Sequence, residues 1–247
     1  MRVRQHSPFL NSLLPDVVSG RVLPAGMQRP YVWVKSDVEA FFDSILQGFP
    51  VGAFLYWQPN EHAELTRLAK VRLGPIIANQ ETLAWSPHQL LLDGQNRLAT
   101  IAWAFMVEQA PDLQYSEAEQ ATWLSGQTLV VDGESRSIVF VDKDEAHIGF
   151  RLPAWTICNA NAGVHKRSMQ LMREKVSGDW KGFTQDQIDS FLDFWDTCSQ
   201  AFQAARVTVT VIEDATPEQA RHAFMRICRV GAPMSQEDFD NALQWAS

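Results

Sequence analysis

The spacing of hydrophobic and polar residues changes several times along the chain, and each change predicts an element. Between residues 36 and 48, apolar side chains recur every three or four positions, after Ser36 and before Gly48. Serine favours helix N-caps and glycine favours helix ends, so this pattern predicts a short helix. The apolar run 53–57 follows a bend at 49–52 and predicts a buried strand.

The most informative change lies between residues 88 and 109. Residues 88–92 form an apolar run that predicts a second strand. After it, one apolar stripe at helical spacing is formed by Leu98, Ile101, Ala102 and Phe105. The dipeptide Asp93-Gly94 is therefore expected where a strand turns into a helix.

A second Asp-Gly dipeptide, at 132–133, lies in a different pattern. It separates the apolar runs 128–131 and 137–141, which predicts a β-hairpin. Residues 59–87 give no clear pattern except for a short strand-like run at 70–73.

The second half of the chain is mainly helical in pattern. Helices are predicted at 164–176, 185–205, 217–230 and 236–246. The run 207–212 alternates β-branched residues and is expected to pair with the earlier sheet. We therefore expect an α+β fold, with a mixed sheet and flanking helices in residues 1–150 and a mainly helical part in 151–247.

Composition narrows the class of protein. The chain has 247 residues, of which 46% are hydrophobic, so it can bury a core and is not a disordered chain. The longest apolar run, 101–107, is too short to span a membrane, and no secretion signal is visible. The three cysteines form no Cys-x-x-Cys motif, which is typical of a soluble, cytoplasmic protein with reduced thiols.

The net charge of the chain is −8, so the chain as a whole is expected to repel nucleic acid. The exception is 1–36, where five basic residues face one acidic residue. The segment 28–33, Gln-Arg-Pro-Tyr-Val-Trp, lies within it and combines an arginine with two aromatic side chains. That combination serves both for stacking on bases and for ordinary packing.

The residues at the strand-to-helix junction suit an anion. The first amides of a helix have no acceptor within the helix, and the helix dipole adds positive potential there. Gly94 lets the backbone come close, Arg97 can reach a phosphate with its fork, and Gln95 and Asn96 carry amide donors. Asp93 can hold Mg²⁺ or orient a water. A tight turn beside a surface arginine explains the same residues, so both interpretations stay open at this point.

Three ordered motifs resemble a known family. Residues 93–97, Asp-Gly-Gln-Asn-Arg, are similar to the Asp-Gly-Gln-Gln-Arg signature of the N-terminal domains of GmrSD-type restriction enzymes, which are similar to the ParB/sulfiredoxin fold. An entry block resembles Leu23-Pro24 followed by residues 28–33, and a later block resembles residues 224–228 followed by Gly231 and Met234-Ser235. The bend at 49–52 also fits the family, and the resemblance runs from about residue 20 to the end of the chain.

The resemblance implies a ParB/sulfiredoxin-like domain that binds and hydrolyses GTP or ATP with Mg²⁺, within a restriction or antiphage system. Carried over residue by residue, it implies a nucleotide site formed by Gln28, Arg29, Gly94, Gln95, Asn96, Arg97 and Arg226, in which Asp93 and Arg97 are catalytic and Asp93 binds the metal. Two positions depart from the family pattern. Asn96 is a shorter amide with the same donors, whereas Cys228 replaces the usual Asn and removes a polar side chain.

The implied role couples the nucleotide state to recognition of modified or foreign DNA, or to a partner nuclease. The alternative is a DNA- or nucleotide-binding module without turnover. The six histidines form no His-Asn-His cluster, so DNA cleavage by this chain alone is not expected. The chain ends directly after a helical pattern, which suggests the front part of a longer protein whose nuclease lies in a further domain or a separate subunit.

Overall fold

A computed structural model describes most of the chain. The residues it describes are 1–28, 31–59, 63–70, 72–73, 76–77, 87–106, 127–158 and 162–229. Together they form an α+β structure with a mixed sheet and flanking helices, as the hydrophobic pattern predicts.

The strands of the described residues fall into three sheets. They are β1 (Arg2–His6), β2 (Val22–Pro24), β3 (Ala53–Gln58), β4 (Arg72–Leu73), β5 (Ile76–Ile77), β6 (Gln89–Asp93), β7 (Gln127–Asp132), β8 (Ser137–Asp142), β9 (Arg151–Pro153) and β10 (Thr208–Glu213). The main sheet has the order β1-β10-β3-β6-β2. Its centre, β3, runs parallel to β10 and antiparallel to β6.

The helices are α1 (Leu14–Val18), α2 (Lys35–Leu46), α3 (Ala63–Leu68), α4 (Gln95–Met106), α5 (Ala162–Ser177), α6 (Gln185–Ala204) and α7 (Pro217–Arg229). The long amphipathic helix α6 begins with a capping box, in which the Thr184 hydroxyl accepts a hydrogen bond from the Gln187 amide at 3.3 Å. No helix among these is both long and apolar enough to cross a lipid bilayer.

Both faces of the main sheet are buried, because alternate side chains on each central strand point to opposite sides. Phe54 on β3 and Leu91 on β6 belong to the large core beneath α2, α4 and α6. Leu55 and Leu90 on the same two strands belong to a smaller cluster on the other side, with residues of α3 and α7. Two-sided burial explains why these strands read as nearly continuous apolar runs.

The helices at 36–48, 164–176 and 185–205 and the strands at 53–57, 88–92 and 207–212 are confirmed within one or two residues of each end. The described part of the helix at 217–230 begins at Pro217 as predicted, and 236–246 lies outside the described residues.

Two features of the sheets differ from the expected arrangement. The predicted hairpin exists, but β7 and β8 join β9 in a separate three-stranded sheet instead of extending the main one. The main sheet includes β10, as expected for the run 207–212, but it also includes the N-terminal strand β1, which was not predicted and pairs with β10 at the edge of the sheet. Strand β1 is exposed along its whole length and so carries no hydrophobic alternation that a sequence pattern can reveal.

Candidate functional site

The junction between β6 and α4 is built around Gly94. The strand ends at Asp93, Gly94 has φ +99°, and the helix begins at Gln95. The first hydrogen bond of the helix runs from the Leu98 amide to the Gly94 carbonyl at 3.0 Å. A Cβ at Gly94 would lie 2.4 Å from Cδ1 of the buried Phe54 ring. Both the backbone angle and the space therefore require glycine at this turn.

The strand before the turn contains an irregularity. Pairing between β3 and β6 shifts by one residue, from Leu55 opposite Asp93 to Tyr56 opposite Leu91, so Leu92 is the additional residue. The Leu92 carbonyl accepts a hydrogen bond from the side-chain amide of Gln28, which is itself buried. Bulges of this kind redirect the end of a strand, and here the end carries the junction.

Arg97 lies in the first turn of α4, and its guanidinium turns back towards the start of β3. Nη2 donates a hydrogen bond to the Ala53 carbonyl at 2.6 Å, and Cζ lies 5.8 Å from the centre of the Phe54 ring. Gly52 has φ +89°, and a Cβ there would lie 2.9 Å from Nη1 of Arg97. The guanidinium is thus positioned by neutral groups, and its bond to Ala53 is the one hydrogen bond it makes to described residues.

A cavity of about 120 Å³ opens at this junction. Its walls are formed by Gln28, Trp33, Asp93, Gly94, Gln95, Asn96 and Arg97. Six of these seven were chosen from the sequence as site residues, and the fold brings them to one place. The cavity is therefore a polar hollow at a helix N-terminus, with an arginine side chain in its wall.

Asp93 is the acidic residue in the wall of this cavity. Its side chain is about half exposed, at 47%, and its carboxylate lies 3.9 Å from Nη2 of Arg97. The described residues contain no group of three His, Cys, Asp or Glu side chains able to hold a metal on their own. A single carboxylate suits a Mg²⁺ ion that is bound mainly through the phosphates of its nucleotide, because Mg²⁺ in such sites keeps only one or two protein carboxylates. The donor set thus fits a metal that arrives with its ligand.

Of the other two predicted site residues, one lies outside the described residues and the other lies away from the cavity. Arg29 lies outside the described residues. Arg226 lies on α7, is exposed, and donates a hydrogen bond from Nε to Nε2 of His222 at 3.1 Å. It does not line the cavity, and the residues of the same helix that meet the sheet belong to the cluster on its other side.

Two residues that were not among the predicted site residues help to form the cavity and its surroundings. Trp33 lines the cavity, and Gly52 leaves the space that the Arg97 guanidinium fills. The aromatic character of residues 28–33 gave a signal for Trp33. The contact of Gly52 depends on two segments more than 40 residues apart, which no local pattern reports.

Comparison with known proteins identifies the family. Residues 19–243 match the family described as the N-terminal domain of the GmrSD restriction endonuclease, and the chain belongs to this family. The chain is also 26% identical, over 144 residues, to the uncharacterized protein MJ0686 of Methanocaldococcus jannaschii. That match covers 58% of this chain but only 24% of the archaeal protein, so the similarity concerns about a quarter of its length.

Proposed function

We propose that the cavity at the β6–α4 junction binds the phosphates of GTP or ATP, and that the chain hydrolyses the nucleotide as part of a restriction or antiphage defence protein. The observation that carries the proposal is the convergence of Asp93, Arg97 and the N-terminus of α4 on one polar hollow. Family membership supports the defence role, since the chain is an N-terminal domain of the GmrSD restriction family.

Electrostatics supports phosphate binding at this place. The first turn of α4 directs amides towards the cavity end of the helix, where the helix dipole favours an anion. A guanidinium carries five donors, and Arg97 uses one of them on Ala53. Its Nε is buried without a partner among the described residues, so the other N–H groups of Nη1 and Nη2 are the donors that remain for phosphate oxygens. The long distance to Asp93 also means that Arg97 is not neutralised by a close ion pair.

The same groups can assist phosphoryl transfer to water, which needs positioning and charge neutralisation more than covalent chemistry. Arg97 would stabilise the negative charge on the transferred phosphoryl group. Asp93 would hold Mg²⁺, which when bound shields the phosphates, or it would orient the attacking water through its carboxylate. Gln28 would keep the end of β6 in place through its bond to the Leu92 carbonyl.

A second candidate function is a binding module without turnover. It is favoured by the presence of one carboxylate in the cavity wall, because an Asp93 that binds the metal leaves no second carboxylate there to orient a water. In that case the cavity would bind a nucleotide or a DNA phosphate without hydrolysis, and ligand binding would act as a conformational switch. Either function would couple occupancy of this cavity to DNA recognition or to a nuclease located in a further domain or a separate subunit.

A phosphate-release assay with GTP and ATP in the presence of Mg²⁺ tests the proposal. Arg97→Ala is expected to lower the rate about 100-fold, as removal of a transition-state donor does in other enzymes. Arg97→Lys keeps the charge but loses the fork and should be intermediate. Arg21→Ala is the matched control, because Arg21 is exposed and makes only a surface contact with Asp16 at 3.4 Å. Equal phosphate release by wild type and Arg97→Ala would reject hydrolysis at this cavity, and weaker nucleotide binding by Arg97→Ala would then leave the binding module.

A further inference from the structure

A second hollow, of about 390 Å³, lies directly beside the first. The two share Trp33 and Arg97 in their walls, so they meet at these two side chains. The remaining walls of this second hollow, the α2 cleft, are Asp37, Ala40, Phe41, Ser44, Pro50, Val51 and Gly52. The first cavity is too small for a whole nucleotide, because sites for ligands of that size occupy about 300–1,000 Å³. The volume of the α2 cleft is sufficient for the part of a nucleotide that the first cavity cannot hold.

The chemistry of the α2 cleft differs from that of the first cavity. Trp33 supplies a half-buried indole whose ring centre lies 5.2 Å from that of Phe41, so the indole is supported by packing from α2. Asp37 supplies a carboxylate in the first turn of the same helix. Arg97 lines this cleft as well as the first cavity. The cleft thus combines an aromatic ring and a carboxylate with a cation that it shares with the phosphate cavity, and side chains of these kinds can contact the base and the phosphates of a nucleotide.

We infer that the α2 cleft holds the nucleoside of the bound triphosphate, with the base stacked on Trp33 and guanine selected by the carboxylate of Asp37. This inference rests on the proposed function, since it assigns the other half of the same ligand. It makes Asp37 a specificity residue for GTP over ATP.

Guanine follows from the pattern of donors and acceptors. A carboxylate only accepts hydrogen bonds, and its two oxygens suit two adjacent donors. Guanine presents such a pair, the N1–H and the N2 amino group, on its pairing edge. Adenine, cytosine and uracil each place an acceptor beside their donor on that edge, so an acceptor would face the Asp37 carboxylate. Stacking on Trp33 tolerates any base and adds affinity without selection.

The local structure allows Asp37 to be changed without loss of the helix. Oδ2 of Asp37 accepts a hydrogen bond from the Val34 amide at 3.0 Å, which closes the start of α2. An asparagine keeps one acceptor oxygen for that bond but replaces the other with a donor. Asp43→Asn is the matched control, because Asp43 lies on the same helix, accepts a hydrogen bond from Gln47 at 2.6 Å, and does not line the cleft.

The experiment measures binding by calorimetry with Mg²⁺ and three probes: a non-hydrolysable GTP analogue, the matching ATP analogue, and inorganic tripolyphosphate. In Asp37→Asn, the ratio of GTP to ATP affinity is expected to fall at least about tenfold, as for loss of a charged hydrogen bond. Tripolyphosphate affinity should stay unchanged. Trp33→Ala should weaken both nucleotides more than it weakens tripolyphosphate, because Trp33 lines the phosphate cavity as well as the α2 cleft, and Trp33→Phe should recover part of the loss. Thermal unfolding of each variant confirms that it folds.

The outcomes separate this inference from the proposed function. If Arg97→Ala abolishes binding of all three probes while Asp37→Asn leaves the GTP to ATP ratio of wild type, the nucleoside assignment is overturned and phosphate binding stands. If Arg97→Ala leaves binding of all three probes unchanged, the phosphate site itself is wrong and both fall. If Asp43→Asn lowers the ratio of GTP to ATP affinity as much as Asp37→Asn does, the assignment is also overturned. The effect would then come from the loss of a negative charge on helix α2 and not from a contact with guanine.

Discussion

The chain contains two Asp-Gly dipeptides at the ends of strands, and each aspartate has an arginine as its neighbour. At 132–133 the dipeptide joins two strands, and the Asp132 carboxylate accepts a hydrogen bond from Nε of Arg151 at 2.8 Å. At 93–94 it joins a strand to a helix, and the corresponding distance between Asp93 and Arg97 is 3.9 Å. The same dipeptide thus stands in a closed ion pair at one place and an open one at the other.

The difference extends to the other partners of each carboxylate. Asp132 also accepts hydrogen bonds from the Ser135 amide at 2.8 Å and from the Ser135 hydroxyl at 2.7 Å, and its side chain is only 7% exposed. Asp93 is half exposed and lines a cavity. A fold depends on both members of a buried ion pair, because removing one leaves the other uncompensated, whereas a charge kept apart from its neighbour in a hollow can serve a ligand. The comparison therefore supports a structural role for Asp132 and agrees with the proposed ligand-binding role of Asp93.

The largest expected effect is on stability at the hairpin. Asp132→Ala leaves Arg151 without its carboxylate partner and should lower the free energy of unfolding by about 3–5 kcal/mol, the usual cost of breaking a buried ion pair. Asp93→Ala should lower it by less than about 0.5 kcal/mol, as for other partly exposed residues with weak contacts. Urea unfolding at pH 7 measures both. An equal loss in the two variants would show that Asp93 is also structural.

The effects of the same two variants on phosphate release should be the reverse of their effects on stability. At a temperature where both are folded, Asp132→Ala should keep the activity of wild type and Asp93→Ala should lose it. Retained activity in Asp93→Ala would remove the functional half of the comparison.

The two glycines provide the next effect. Gly94→Ala should cost about 2–3 kcal/mol, because the backbone angle is strained for alanine and the Cβ meets the Phe54 ring. Gly133→Ala should cost about 1–2 kcal/mol, since its Cβ would lie 2.5 Å from Cδ2 of Phe191 but its φ is not positive. Unfolding in urea again gives the values.

Gly48→Ala is the control for the backbone contribution alone. Gly48 has φ +73°, and no atom lies within 4 Å of the position that a Cβ would take, so this variant should cost about 1 kcal/mol. If Gly94→Ala costs no more than Gly48→Ala, the Phe54 ring moves aside and the packing argument at the junction fails.

Local pattern was sufficient to find the junction, because the change from a strand period to a helical period falls at residues 92–95. It was also sufficient for the hairpin, because two apolar runs lie on either side of the turn at 132–133. It could not find β1, whose partners on β10 lie more than 200 residues away and whose ion pairs from Arg2 and Arg4 to Glu213 replace apolar contacts. Strand β2 has only three residues, which is too short for any period to show.

The candidate site divides in the same way. Residues 93–97 are contiguous, so their motif and their position in the fold are visible together in the sequence. The α2 cleft depends on the approach of Trp33 and Asp37 to the segment 50–52 and to Arg97, which the packing of α2 on the sheet determines. Contacts of that kind follow from tertiary structure and leave no mark in local spacing.

The smallest effect is the pH dependence of the hairpin. Burial raises the pKa of Asp132, but the hydrogen bonds from Ser135 and Arg151 outweigh it and hold that pKa below its usual value. A carboxyl group with a lower pKa in the folded state stabilises the fold above its unfolded pKa of about 4, and the stabilisation is lost as the pH falls through the folded pKa. The difference in unfolding free energy between wild type and Asp132→Ala should therefore be complete at pH 7 and decline below about pH 4.

Ser135→Ala sharpens this last prediction, because it removes the hydroxyl that donates to Asp132 while keeping the Ser135 amide bond. With one donor fewer, the pKa of Asp132 should lie closer to its usual value, so the decline should be smaller than in wild type and should be complete at a higher pH. Unfolding free energies measured from about pH 2.5 to 7 test this. A difference between wild type and Asp132→Ala that stays constant down to the lowest pH would mean that packing, and not the charged carboxylate, stabilises the hairpin. The contrast with the open pair at Asp93 would then no longer rest on ionisation.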